Sequence, residues 1–115
     1  MIEKDSSGSL DLFNQIISKT QSDQEKLEYY FTYGYELFHK SKIASLKSLL
    51  DEAFLIEQND SNYEEYSRIL QLKFHFYDLQ KEYDSAIHII NQLDRLSVHY
   101  GDTIVRIKVL RERSA

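Results

Sequence analysis

The hydrophobic positions of the chain recur every three or four residues rather than in strict alternation. This spacing places apolar side chains on one face of a helix, whereas a half-buried strand would alternate apolar and polar positions. The first such segment runs from Leu10 to about Thr20, and five others begin near residues 23, 43, 62, 83 and 102. The pattern predicts an all-α protein of about six helices, preceded by a flexible lead over residues 1–9.

Start and stop signals lie between these segments. Both Ser22–Glu25 and Ser61–Glu64 have the spacing of a capping box, in which the Ser hydroxyl accepts a hydrogen bond from the backbone three residues on. Gly101 is expected to end the fifth helix, because Gly adopts a positive φ without penalty. Asp102 can then cap the last helix.

A shift of 40 residues superposes the second half of the chain on the first. Internal similarity at a fixed period indicates a duplicated structural unit. We therefore predict a single domain over residues 10–115, with repeat units at about 23–60 and 62–100 and a capping helix at 102–113. Five core positions coincide in this register: Leu46 with Ala86, Leu49 with Ile89, Leu50 with Ile90, Ala53 with Leu93, and Ile56 with Leu96.

The first unit resembles the tetratricopeptide repeat, a paired-helix family. The family's spacing of bulky and small residues is present as Tyr30-x-x-Tyr33-Gly34-x-x-Leu37 and Leu46-x-x-x-Leu50-x-x-Ala53. The resemblance implies antiparallel helical hairpins stacked as a short right-handed solenoid. The second unit departs from this pattern, because Phe74 occupies the position that corresponds to Gly34. The period of 40 also exceeds the usual ~34 residues, and the family's late Pro is absent from both units.

A narrower similarity concerns the peptide-sensing regulators of the Rap/NprR type. The segment Leu27–Leu37 is similar to the one that opens their repeat domain, while Lys81–Ile87 is common to tetratricopeptide proteins generally. The chain differs from those regulators because it has no DNA-binding helix-turn-helix and no room for a separate phosphatase bundle. No catalytic residue is therefore carried over.

The tetratricopeptide resemblance also implies where a partner would bind. In that family the first helix of each hairpin lines a concave surface, so the corresponding positions here are candidate partner-binding residues. An extended peptide or partner helix would suit their mix of aromatic and polar groups. The alternative, left open, is that the terminal helices cover this face and the aromatic residues belong to the core. The candidates are Glu28, Phe31, Tyr35 and Phe38 in the first unit, and Arg68, Gln71, His75 and Asp78 in the second.

Composition and charge narrow the classes of partner. The net charge of −5 argues against nucleic acid, whose binding depends on clustered Lys and Arg. No apolar run approaches the ~20 residues that a membrane span needs, and the N-terminus lacks the apolar stretch of a signal peptide. The chain has no Cys, which excludes disulfides and cysteine-ligated zinc. We expect a cytoplasmic protein that binds neither nucleic acid nor membrane.

The residues do not indicate an active site or a cofactor. None of the four His residues is paired at the i, i+4 spacing of a helical zinc site, although His75 and Asp78 share a helical face. The acidic pairs Asp51-Glu52 and Glu64-Glu65 lie near helix ends, where acidic residues are common. We expect no catalytic residue, no metal and no cofactor, and hence a non-catalytic protein.

The last helix leaves two interpretations open. It carries four basic residues against the single acid Glu112, and Ile104, Ile107 and Leu110 or Arg111 form one apolar stripe, which Val105 and Val109 extend. We favour a capping helix with a polar back, and the alternative is a face for a homodimer or another partner. For the whole chain we predict a protein- or peptide-binding module, such as a small regulator or chaperone, and the alternative is a structural or oligomerisation unit. The basic residues are Arg106, Lys108, Arg111 and Arg113.

Overall fold

A computed structural model describes the backbone of residues 2–114 and the side chains of residues 11–112. Within that range the protein has six helices and no strand. The predicted all-α class and number of helices are thus confirmed. The helices are α1 Ile2–Lys19, α2 Asp23–His39, α3 Ile43–Ala53, α4 Tyr63–Leu79, α5 Tyr83–Tyr100 and α6 Thr103–Ser114.

Helix α1 differs most from the expected bounds, because it begins at Ile2 rather than near Leu10. Residues 1–9 were expected to form a flexible lead, whereas the backbone of residues 2–9 is helical; the side chains of these residues lie outside the described range. No Pro interrupts this stretch, so nothing in its covalent structure stops the helix from extending toward the N-terminus.

The helices form two compact units, one that extends to Glu65 and one that begins at Tyr66, so that the boundary falls within α4. In the first unit α2 packs against α3, and α1 contacts α2. In the second unit α5 packs against α6. The α1–α2 contact includes the Phe13 ring, whose centroid lies 5.3 Å from that of Tyr30 in an edge-to-face arrangement.

Helices α2, α3 and α5 bury residues of the stripes that the sequence pattern selects. On α2 the buried residues recur at helical spacing and include Gly34, so the small residue of the repeat pattern is in the interior. The buried positions of α3 and α5 coincide under the 40-residue shift, because four of the five predicted pairs are buried in both helices. These pairs are Leu46 and Ala86, Leu49 and Ile89, Leu50 and Ile90, and Ala53 and Leu93.

The turn after α2 is a Schellman motif. The backbone N–H of Lys42 donates to the carbonyl of Leu37 at 2.9 Å, and that of Ser41 donates to the carbonyl of Phe38 at 3.1 Å. Ser41 has a φ of 58°, which is the left-handed conformation that this motif requires. The motif satisfies carbonyls at the end of α2 and turns the chain into α3.

The turn after α4 repeats this arrangement 40 residues later. Glu82 N–H donates to the Tyr77 carbonyl at 2.9 Å, Lys81 N–H donates to the Asp78 carbonyl at 3.1 Å, and Lys81 has a φ of 59°. A third Schellman motif ends α5, where Gly101 has a φ of 65°. The predicted helix stop at Gly101 is therefore confirmed.

Side-chain hydrogen bonds cap α2 and α6, and another one lies in the loop that leads into α4. The Ser22 hydroxyl accepts from the Glu25 backbone N–H at 3.4 Å, and the Asp102 carboxylate accepts from the Val105 N–H at 3.0 Å, as predicted. The second capping box is shifted, because α4 begins at Tyr63 and Asn62 immediately precedes it. Asn62 is buried, and its amide donates to the Glu57 carbonyl at 2.9 Å.

Candidate functional site

The four candidate residues on α2 lie outside its buried stripe. Each follows a buried position by one residue, a rotation of about 100° around the helix axis. Glu28 and Tyr35 are exposed, and Phe31 and Phe38 are half-buried. We call Glu28, Phe31, Tyr35 and Phe38 the aromatic face of α2. None of the four residues is fully buried.

Aromatic rings form a continuous row along this face. The ring centroids of Phe31 and Tyr35 are 5.8 Å apart, and those of Tyr35 and His39 are 4.3 Å apart in an edge-to-face arrangement. Phe38 also contacts His39, with centroids 5.9 Å apart. The i, i+4 spacing along α2 produces the contacts of Tyr35 with Phe31 and His39, because residues four apart are neighbours on a helix surface. Ring contacts along the row limit the side-chain motion of Tyr35, although half of its surface is exposed.

The electrostatic surroundings of the aromatic face are acidic. Glu28 belongs to the face, and the exposed carboxylates of Glu25 and Glu36 lie beside it on the same helix. Glu36 forms a solvent-exposed ion pair with Lys40, whose Nζ lies 3.4 Å from Oε1 of Glu36. A pair of that kind contributes little to stability, roughly 0–1 kcal/mol. An apolar surface with acidic flanks would attract a basic ligand.

In the second unit, helices α4, α5 and α6 line a cavity of about 260 Å³. Two of the four candidates on α4, Gln71 and His75, lie in its wall, whereas Arg68 and Asp78 are exposed and do not. The floor of this cavity is mainly apolar and buried, and charged side chains of α6 lie along one side of it. The other lining residues are Phe74, Ile90, Leu93, Val105, Lys108, Val109, Arg111 and Glu112.

Several of these lining residues were not among the predicted site residues. Phe74 was noted only as the bulky replacement for Gly34, and Lys108 and Arg111 only as part of a basic helix. The sequence signal for Phe74 was its departure from the repeat pattern, since a large side chain at a position that favours a small one holds the neighbouring helix away. Spacing within α6 could not show that its basic residues line a cavity with α4, because that depends on how the helices pack.

The acidic pair Glu64-Glu65 divides between two environments. Glu64 is exposed, whereas Glu65 is buried and its Oε1 accepts a hydrogen bond from Nε2 of Gln24 at 2.8 Å. Oε2 of Glu65 has no hydrogen-bond partner in the part of the chain that the structure describes. The two carboxylates therefore do not form a paired acid–base site.

Among the described residues, no three His, Asp or Glu side chains come together as a metal-binding cluster. The helices of this part of the chain are also all too short or too polar to span a bilayer.

Comparison with known proteins does not place the chain in a family. No family model, no curated protein and no solved structure matches it significantly. The functional interpretation therefore depends on the chain's own surfaces.

Proposed function

We propose that the protein is a non-catalytic interaction module whose aromatic face on α2 binds a segment of another protein or a peptide. The observation that carries this proposal is the row of rings at Phe31, Tyr35 and His39, in which Tyr35 and His39 are exposed and Phe31 is half-buried, on a helix that buries a neighbouring stripe. A row of aromatic rings on the surface places apolar area in contact with water, which does not stabilise the isolated chain. A partner that covers them recovers that free energy.

The ring types on this face are those that dominate measured protein interfaces. A Tyr that is already held by neighbouring rings loses little conformational entropy when a ligand covers it. Glu28 lies among the rings and can orient a ligand through a charge-assisted hydrogen bond. A ligand with apolar anchors and at least one Lys or Arg fits this combination.

The repeated turn supports the tetratricopeptide-like part of the proposal. Three features recur at a 40-residue shift: the Schellman hydrogen bonds, the positive φ at Ser41 and Lys81, and the buried positions of α3 and α5. We infer from this recurrence that the two hairpins derive from one unit and stack as a short right-handed solenoid. The cavity beside Gln71 and His75 would then offer a second anchoring point on the first helix of the second hairpin.

Site-specific photo-crosslinking tests this proposal. A photoreactive amino acid at position 35 is expected to form a discrete adduct with a partner in cells of the source organism. Position 83 is the matched control, because Tyr83 is 57% exposed and Tyr35 is 51% exposed, but Tyr83 lies on α5. The adduct should disappear when Phe31→Ala is added, while the protein keeps its helical circular dichroism. Equal adducts at positions 35 and 83 would contradict a specific role for α2.

A further inference from the structure

The exposed side of α6 carries apolar residues among its charged ones, in addition to the polar back expected of a capping helix. Val105 and Val109 are buried. On another side of the helix, Ile104, Ile107 and Leu110 are 68%, 57% and 51% exposed. We call these three residues the outer face of α6. They recur every three residues, so they form one stripe along the helix.

Positive charge surrounds this stripe. Arg106, Lys108 and Arg111 are exposed along α6, and Glu112 is the one acidic residue of the helix. The protein as a whole has a net charge of −5. Helix α6 is therefore a basic segment that carries an exposed apolar stripe, in a protein of net negative charge. An acidic apolar surface would complement it best.

The aromatic face of α2 has the complementary chemistry. It presents Phe31 and Tyr35 as apolar groups, and Glu28, with Glu25 nearby, as negative charges. Both surfaces are helical, so they can meet as one amphipathic helix laid against another, with apolar side chains three or four residues apart as anchors.

Charge decides which surfaces of two copies pair. Two α6 helices placed face to face would bring Arg106 and Arg111 close to their own copies, and two α2 helices would bring Glu28 close to Glu28. Like charges that face each other across an interface cost several kcal/mol. Pairing of α6 with α2 of a second copy replaces both repulsions by attraction and covers both apolar surfaces.

We propose that the outer face of α6 in one copy of the protein binds the aromatic face of α2 in a second copy. This inference rests on the proposed function, because it names the ligand of the α2 face as a basic amphipathic helix that the protein itself carries. The protein then associates with itself through two different surfaces rather than through one surface paired with itself.

Sedimentation velocity of the full chain over a wide concentration range tests the association. The wild-type protein is expected to show a mass that rises above the 13.7 kDa of one chain as concentration increases. Raising the NaCl concentration from 0.05 to 0.5 M should weaken the association several-fold, because salt screens exposed charges. Tyr35→Ser and Ile107→Ser should each weaken it by roughly tenfold or more, as expected for central interface residues.

Matched controls separate this contact from general stickiness. Tyr83→Ser and Ile87→Ser remove apolar groups of the same type and similar exposure from α5, where the exposed fractions are 57% and 58%. Both control variants should associate like the wild type. Glu28→Lys and Arg106→Glu provide a second pair of variants that reverse charge and leave the apolar contacts in place, and each should also weaken association.

A mixing experiment tests which surfaces meet. The Tyr35→Ser variant keeps an intact α6, and the Ile107→Ser variant keeps an intact α2, so a mixture of the two monomeric variants should form a heterodimer. Association of the Tyr35→Ser variant by itself would overturn the proposal, since the contact would not use α2. A wild-type protein that stays monomeric throughout, or that binds anionic lipid vesicles through α6 instead, would also overturn it.

The two proposals can fail independently. If the protein is monomeric but position 35 crosslinks to a different protein, the α2 face is a binding site and the inference about self-association is wrong. If the protein neither associates with itself nor forms a crosslink at position 35, the proposed function is wrong as well.

Discussion

The turn after α2 and the turn after α4 have the same backbone hydrogen bonds, but the helices that lead into them differ in their side chains. Ser41 and Lys81 have φ values within one degree of each other, 58° and 59°. At the register position of Gly34, which is buried, α4 has Phe74, which lines a cavity. The comparison shows that the same turn geometry occurs with different side chains, whereas the helix surfaces beside the two turns differ.

A second difference concerns two glutamates at the same register position. Glu25 is exposed in the first turn of α2, and Glu65 is buried in the first turn of α4, where it accepts a hydrogen bond from Gln24. Residue type and position in the helix are the same, so neither decides burial. Packing around the helix start decides it.

The largest expected effect tests the equivalence of the two cores. Leu50 and Ile90 correspond in the 40-residue register and are both buried. Leu50→Ala and Ile90→Ala should each lower the free energy of unfolding in urea by about 2–4 kcal/mol, because each removes buried methyl groups and leaves a cavity. Leu55→Ala is the control, since Leu55 is 82% exposed. A loss at only one of the two core positions would show that the units do not share a core register.

The second-largest expected effect is the difference in stability loss between substitutions of Glu65 and of Glu25. Glu65→Ala should lower the free energy of unfolding by about 1–3 kcal/mol, because it removes the hydrogen bond that this buried side chain accepts from Gln24. Glu25→Ala should change it by only about 0.5 kcal/mol, as is usual at exposed positions. A double-mutant cycle with Gln24→Ala would measure the coupling. Equal losses for the two glutamates would mean that burial of Glu65 has no energetic consequence.

The turns offer smaller effects, a loss of stability at Gly101 and a gain at Ser41 and Lys81. No atom lies within 4 Å of the position that a Cβ would take at Gly101, so the cost of Gly101→Ala, about 1 kcal/mol, should come from its φ of 65° alone. Ser41→Gly and Lys81→Gly should each raise the free energy of unfolding by about 0.5 kcal/mol, because they relieve the same conformation. Thermal unfolding would detect the loss of stability at Gly101 and the gain at Ser41 and Lys81. Stabilisation at only one turn would contradict their equivalence.

The smallest effect at neutral pH concerns Tyr66, which has Lys26 at its register position in the first unit. Burial raises the pKa of the Tyr66 hydroxyl above its ordinary value of 10.0. The folded state therefore retains this proton more strongly than the unfolded state does. The resulting stability is fully present below pH 10 and is lost as pH rises through the folded pKa.

Urea unfolding between pH 8 and 11 checks this sign. Tyr66→Phe should reduce the loss of stability above pH 10. Tyr35→Phe is the control, because Tyr35 is exposed. An unchanged pH profile in the Tyr66→Phe variant would contradict the prediction. Tyr30 and Tyr33, whose pKa values are raised by burial and then by Glu52 and Glu36 respectively, would account for the slope that remains.

The sequence predicted helix ends well where the signal involves only neighbouring residues. Gly101 and Asp102 end one helix and cap the next as expected, because a positive φ and a side-chain cap involve only neighbouring residues. The start of α4 was displaced by one residue, since Asn62 rather than Ser61 precedes it. Asn62 is held by the 57–62 loop, through contacts that a capping-box pattern does not contain.

The candidate site was only partly accessible from sequence. The tetratricopeptide resemblance selected Phe31 and Tyr35 as candidate residues, and in the structure Phe31 is half-buried and Tyr35 is exposed. On α4 the same procedure selected Gln71 and His75, which line a cavity, and also Arg68 and Asp78, which do not. The cavity requires α6 on its other side, and no periodicity within α4 contains that information.

By itself, the sequence determined the all-helical class, the number of helices, the core stripes of α2, α3 and α5, and the turn residues. These properties follow from spacing and backbone preference within one or two helical turns. Only the tertiary structure decided that Glu65 is buried and Glu25 exposed, that Phe74 lines a cavity, and that Ile104 and Ile107 remain uncovered on α6. The physical reason is that an apolar stripe specifies which residues favour burial, whereas burial itself depends on which neighbouring element reaches them.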